Sequence, residues 1–179
     1  MDLLSFQILY RNGIWTDEIE SMIHNIQQIF RFDNRVYVKV DSSLAELSMR
    51  LGIPLPDWVK GVAMNNVIYL LNPIAWKQDG NDTLASIFIH EYVHTAVFGT
   101  FKTECPLWLN EGLALYFSGQ YKTMRLERFI NAGTDCLMES YEEYALRTLE
   151  LIRKYGDRDT VEEARKCNNF LENKMFQSV

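Results

Sequence analysis

The stretch that decides the fold is residues 83–98, with the sequence TLASIFIHEYVHTAVF. Thr83 is a favourable helix N-cap, and most of the residues after it are apolar, so the sequence predicts a helix that is buried in the protein. His90 and His94 are four residues apart and therefore lie on one face of this helix, where both imidazoles can bind one ion. Glu91 lies about 100° around the helix from His90. This spacing suits two zinc ligands and a general base.

A third ligand has to come from another part of the chain. No histidine follows His94, so an aspartate, a glutamate or a cysteine must supply it. The best candidate is Glu111, which lies in the apolar helical stretch WLNEGLA at residues 108–114. A loop between the two stretches can bring their helices together in antiparallel orientation. A bound cation would also balance the cost of burying two histidines and a glutamate among apolar residues.

Apolar periodicity predicts the layout of the remaining chain. Strands are predicted over residues 4–10, 36–40, 59–64 and 67–71, and helices over residues 16–31, 42–51, 83–98, 107–118, 123–131 and 139–155. Strands come first and helices follow, so the predicted fold class is α+β. A small N-terminal mixed sheet with helices occupies about residues 1–75, and a mainly helical half occupies about residues 81–179. No linker-like stretch divides the chain, so residues 1–179 are predicted to form one domain.

Composition excludes several classes of partner. The chain of 179 residues has a formal net charge of −6 and no basic cluster, which argues against nucleic acid as a partner. Apolar runs such as residues 67–71 are far shorter than the roughly 20 residues of a membrane-spanning helix, so no membrane partner is expected. No signal peptide is visible, and the three cysteines are widely spaced. Reduced thiols and a cytoplasmic location are therefore expected.

The two motifs together resemble those of a known enzyme family. His90-Glu91-x-x-His94 followed by Trp-Leu-Asn-Glu-Gly-Leu-Ala resembles the gluzincin zinc metallopeptidases, and the short chain is similar to small peptidase-MA-like and minigluzincin domains. The resemblance covers roughly residues 58–156. It implies a zincin-like active-site helix, zinc as the cofactor, and a peptide or protein as the substrate. It also implies that His90, His94 and Glu111 bind the zinc ion and that Glu91 deprotonates the zinc-bound water.

The resemblance also implies residues that would contact the substrate. Aminopeptidase-type members stabilise the oxyanion with a tyrosine on a later helix. Similar small peptidases have a tyrosine at a fixed distance before a terminal Tyr-Gly pair, and Tyr141 stands at that distance before the pair at 155–156; Tyr144 is the second choice. The segment Gly61, Val62 and Ala63 resembles the edge strand along which substrate backbone pairs. Asn65 and Asn66 follow this segment where aminopeptidases have a glutamate that holds the free amine. This departure favours an endopeptidase or a short-peptide hydrolase.

Several points stay open at the level of sequence. Leu115 stands where thermolysin-like members place an aspartate, so the residue that orients a zinc-bound histidine is not identified, and Asn110 is expected to support the start of its helix. Alternatives to a peptidase are a zinc amide hydrolase with a non-peptide substrate, and a non-catalytic metal-binding interaction module. The charged amphipathic tail, residues 160–179, is a candidate for autoinhibition or self-association.

Overall fold

The computed structural model describes residues 16–76, 82–124 and 141–179. Within these ranges it contains six α-helices and one three-stranded mixed sheet, which confirms the predicted α+β class. In chain order the elements are α1 (Asp17–Phe30), β1 (Tyr37–Asp41), α2 (Leu44–Leu51), β2 (Gly61–Met64), β3 (Val67–Leu71), α3 (Leu84–Thr100), α4 (Leu107–Ser118), α5 (Tyr141–Tyr155) and α6 (Asp157–Lys166). The predicted strand over residues 4–10 and most of the predicted helix over 123–131 lie outside the described residues.

The sheet has the strand order β1-β3-β2. β1 runs parallel to β3, and β2 runs antiparallel to β3 with Gly61 opposite Leu70. The turn between β2 and β3 includes Asn65, which adopts a positive φ of 54° that asparagine tolerates better than most residues. In the described part of the chain β2 is therefore an outer strand of the sheet.

Helix α3 lies at the centre of the packing and contacts α1, α4, β2 and β3. Its N-terminus is fixed by a capping box, in which the side chains of Thr83 and Ser86 each accept from the other's backbone N–H. The sequence predicts that this helix ends before Gly99, but the structure continues it to Thr100. A glycine costs a helix only about 1 kcal/mol, and the backbone N–H of Phe101 still bonds to the carbonyl of Val97. The helix therefore ends two residues later than the sequence predicts.

Helices α4 and α5 approach each other closely at Gly112. A Cβ atom added there would lie 2.6 Å from the carbonyl oxygen of Tyr144 and would overlap the hydroxyl of Thr148. Only glycine therefore permits this approach. The contact holds the N-terminal end of α5, which begins with Tyr141, against the helix that carries Glu111.

The segment after α6 packs back onto the body of the protein. The side chain of Phe176 is buried in the core, and the hydroxyl of Thr103 donates to the carbonyl of Cys167 at 2.9 Å. None of the helices in the described ranges is both long enough and apolar enough to cross a membrane.

Candidate metal centre

Two helices bring three candidate ligands together. His90 and His94 lie on one face of α3, and Glu111 lies on α4, which runs back along α3 because the loop between the helices is short. The Nε2 atom of His90 is 3.4 Å from Oε2 of Glu111, and Nε2 of His94 is 3.6 Å from Oε1 of the same carboxylate. One ligand atom from each residue lies within 4.8 Å of the others. We call this group the metal centre, since the three side chains could hold one metal ion.

The other ring nitrogen of each histidine is also engaged. Nδ1 of His94 lies 3.0 Å from Oδ1 of Asn110, and Nδ1 of His90 lies 2.8 Å from Oε1 of Gln120. Amide oxygens only accept hydrogen bonds, so each histidine donates through Nδ1 and, in its neutral form, keeps the lone pair of Nε2 for the metal centre. Two such lone pairs facing a carboxylate repel one another unless a cation lies between them. The donor set therefore fits a metal ion.

These two amides are the orienting partners of the histidines, which the sequence alone does not identify. The expectation that Asn110 supports the start of its helix is wrong, because its side-chain oxygen faces His94 and α4 has no side-chain cap. Gln120 was not predicted to have any role. It lies in a short 3₁₀ turn, Gln120–Thr123, just after α4, and no local sequence pattern marks it.

Charge and burial affect the two carboxylates of the site in opposite directions. The pKa of Glu91 is raised to about 7, chiefly by burial and in smaller part by the negative charge of Glu111, although His94 and a backbone hydrogen bond from Ala63 act to lower it. Burial also acts to raise the pKa of Glu111, but in the metal-free site a hydrogen bond from His90 and the positive charges of His94 and His90, when these are protonated, outweigh it and hold that pKa below its usual value. Glu111 is therefore the carboxylate suited to a cation, whereas Glu91 lies buried beside the metal centre and outside its ligand group.

The predicted substrate-strand residues lie next to Glu91. A Cβ atom added to Gly61 would lie 2.9 Å from Cγ of Glu91, so β2 passes directly over this glutamate. Gly61, Val62 and Ala63 all line the cavity that contains the metal centre. The structure therefore brings the predicted strand, the predicted base and the candidate ligands to one place.

Of the two candidate tyrosines, Tyr141 faces the site. It lines the same cavity and is 45% exposed, whereas Tyr144 is not among the residues that line it. Burial, followed by the negative charges of Glu111 and Glu91, raises the pKa of Tyr141 to about 12. Its hydroxyl therefore stays protonated at neutral pH and can donate a hydrogen bond. The rings of Tyr141 and Tyr144 lie in edge contact, with centroids 6.3 Å apart.

The cavity has a volume of about 1190 Å³ and opens to solvent. Three large apolar side chains at its wall are strongly exposed: Phe98 (70%), Leu107 (61%) and Trp58 (53%). No residue of the tail at 160–179 lines the cavity, so in this structure the tail does not cover the metal centre. Such a cavity has room for an extended segment of polypeptide.

Comparisons with protein-family models, with curated proteins and with solved structures found no match. The chemistry of the site therefore has to be inferred from its own residues and their geometry. Those residues provide a group that could hold a cation, a buried carboxylate beside it, a protonated tyrosine and an outer strand, all at one cavity.

Proposed function

We propose that this chain is a zinc-dependent peptidase of the gluzincin type, with α3 as a zincin-like active-site helix. The observation that carries the proposal is the grouping of the ligand atoms of His90, His94 and Glu111 within 4.8 Å, beside the buried Glu91 and open to a large cavity. Two imidazoles and a carboxylate are a common ligand set of catalytic zinc sites, which leave one position open. Ligand atoms around tetrahedral zinc lie about 3.4 Å apart, close to the two nitrogen–oxygen distances seen here.

Bound zinc would supply a Lewis acid that polarises the scissile carbonyl and lowers the pKa of water. Glu91 accepts a proton from the attacking water as the oxygen–carbon bond forms. It then returns this proton to the amide nitrogen as the carbon–nitrogen bond breaks, so a carboxylic acid and an amine leave the site. Glu91 suits this role because it lies at the cavity wall and is not needed as a ligand.

Tyr141 donates a hydrogen bond through its hydroxyl to the carbonyl oxygen as negative charge develops there. The outer strand β2 pairs with the backbone of an extended substrate, since its other edge is already bonded to β3. Neither contact requires a free N-terminal amine, so the substrate class that we propose is an internal segment of a peptide or an unfolded protein.

The decisive experiment compares zinc content and hydrolysis in wild type and in Glu91→Gln. Wild type should contain one zinc ion per chain by elemental analysis and should cleave members of a broad peptide library. The E91Q variant should keep the zinc ion and lose hydrolysis, whereas Glu20→Gln, an exposed position on α1, should change neither. Zinc binding without cleavage by wild type would contradict a peptidase and would favour a non-catalytic metal-binding module.

The two tyrosines can be separated in the same assay. Removing one oxyanion donor costs about 100- to 1,000-fold in kcat, so Tyr141→Phe should show a loss of this size. Tyr144→Phe should lose much less, because the Tyr144 side chain does not line the cavity. An equal loss in both variants would argue against Tyr141 as the oxyanion donor.

A further inference from the structure

Four polar side chains form a continuous series of hydrogen bonds from the start of β2 to the metal centre. Lys60, which precedes β2, donates through Nζ to Oδ2 of Asp82 at 2.7 Å. Gln120 donates through Nε2 to Oδ1 of Asp82 at 2.8 Å, and its Oε1 lies 2.8 Å from Nδ1 of His90. The four residues come from four separate places in the sequence and cross the gap between the sheet and the helices.

The direction of every hydrogen bond in this series follows from Asp82. An ionised carboxylate only accepts, so the Gln120 amide must offer Nε2 to it and is left with Oε1 facing His90. The hydroxyl of Ser118 donates to the same oxygen at 2.9 Å, which supports this orientation. Neutral His90 must then carry its hydrogen on Nδ1, and the lone pair of Nε2 faces Glu111.

We propose that Gln120 is a positioning residue for His90, and that Asp82, held by Lys60, selects the metal-binding tautomer of this histidine by fixing the orientation of the Gln120 amide. The inference rests on the metal centre of the proposed function and is independent of whether the protein cleaves peptides. Asp82 would thus determine the tautomer of His90 through Gln120, without contacting the histidine itself.

If this proposal is right, Asp82→Asn reverses the direction of the hydrogen bonds that link residue 82 to Gln120 and Gln120 to His90. The Lys60 ammonium group has only donors, so it donates to the oxygen of the new asparagine amide. The NH₂ group of that amide then faces Gln120. The Gln120 amide must then rotate so that its oxygen accepts from this group and its own NH₂ faces His90. His90 has to accept on Nδ1, carries its hydrogen on Nε2 and loses the lone pair that a metal ion needs.

Lys60→Met tests whether the lysine forces this reversal. With no donor at position 60, the side-chain oxygen in the double variant K60M/D82N is free to accept from Gln120 again. The amide of Gln120 then keeps its original orientation, and His90 keeps its hydrogen on Nδ1. Asp82→Asn alone should therefore be defective, and the additional loss of Lys60 should restore function.

The experiment measures the tautomers of His90 and His94 in the metal-free protein by long-range ¹H–¹⁵N NMR, and zinc affinity by competition with a chelator. In wild type both histidines should carry hydrogen on Nδ1. In D82N, His90 should switch to Nε2 while His94, which faces Asn110, should not, and zinc affinity should fall about 10- to 100-fold. K60M/D82N should recover the wild-type tautomer and most of the affinity.

The His94 tautomer and the circular dichroism spectrum show whether each variant is folded. An Nε2–H tautomer of His90 in wild type, or an unchanged His90 in folded D82N, would overturn the proposal. If D82N does not fold, Gln120→Ala replaces it: folded Q120A with unchanged zinc affinity and unchanged His90 tautomer would also overturn the proposal. Because the tautomers are measured without zinc or peptide, failure of the peptidase proposal would leave this result readable.

Discussion

The close approach of α4 to α5 at Gly112 can be tested by adding one methyl group. In Gly112→Ala the new Cβ atom would lie 2.6 Å from the carbonyl oxygen of Tyr144 and 2.8 Å from Cβ of Thr148, and it would overlap the hydroxyl of Thr148. The carbonyl belongs to the backbone of α5 and cannot rotate out of the way. Helices α4 and α5 must therefore separate, by about 1 Å if the contact is to reach ordinary van der Waals distance.

The magnitude follows from two opposing effects. Alanine in place of glycine stabilises an unconstrained helix by about 1 kcal/mol. Overpacking a buried contact costs about 1–3 kcal/mol and occasionally more, and a backbone obstacle places the cost near 3 kcal/mol. We therefore expect G112A to lower the free energy of unfolding by about 2 kcal/mol, which corresponds to a Tm about 4–8 °C lower for a chain of this size.

Urea unfolding measures this change as a lower midpoint with an unchanged m value. Gly99→Ala is the matched control, because its close neighbours are side-chain atoms of Phe32 and Asn34 rather than backbone, and it should cost less. The double variant G112A/T148A loses the overlap with the Thr148 hydroxyl and should be destabilised by less than the sum of the two single variants. A G112A protein as stable as wild type would refute the inferred packing of α4 against α5.

Three further predictions follow from single contacts. Gly61→Ala should reduce hydrolysis at least tenfold with little change in zinc affinity. The added Cβ atom would lie 2.9 Å from Cγ of Glu91 and would displace the base by a fraction of an ångström. Steady-state kinetics measure the first effect and chelator competition measures the second. Thr148→Val should leave the urea midpoint unchanged or raise the stability by about 1 kcal/mol, since the buried Thr148 hydroxyl has no hydrogen-bond partner among the described residues. Zinc at 100 times its Kd should raise the free energy of unfolding by about 2.7 kcal/mol. A chelator should reverse this increase, and His90→Ala should abolish it. An equal increase in H90A would argue against the metal centre.

The part of the site that the sequence predicts is the part that local geometry determines. His90, Glu91 and His94 lie within little more than one turn of a single helix, so their relative positions follow from the helix period alone. Glu111 lies on the next helix, and a short connection leaves that helix few ways to pack other than back along α3. The grouping of the three candidate ligands therefore follows from the sequence, whereas the identity of the ion and the reaction stay predictions.

The orienting residues could not be predicted for the opposite reason. Gln120 reaches His90 across 30 residues of sequence, and its usefulness depends on Asp82, which in turn depends on Lys60 beside the sheet. Each of these contacts exists only once the sheet, α3 and the end of α4 are packed together. The predicted end of α3 is wrong for a related reason, since tertiary packing carries the helix through Gly99 despite the low helix propensity of glycine.

In the proposed enzyme, zinc binding and peptide hydrolysis depend on different sets of contacts. The ligands for zinc come from the α3–α4 pair, whereas proton transfer, oxyanion binding and substrate pairing also need β2 and the start of α5 to be in place. Displacing α5 through Gly112 or β2 through Gly61 should therefore impair hydrolysis and leave zinc binding largely intact. A change in the Lys60–Asp82–Gln120 chain should impair zinc binding itself, because that chain acts on a ligand. If the Gly61 and Gly112 variants lost zinc together with activity, the zinc ligands would not be held independently of β2 and α5, and the metal centre would have to depend on the whole fold.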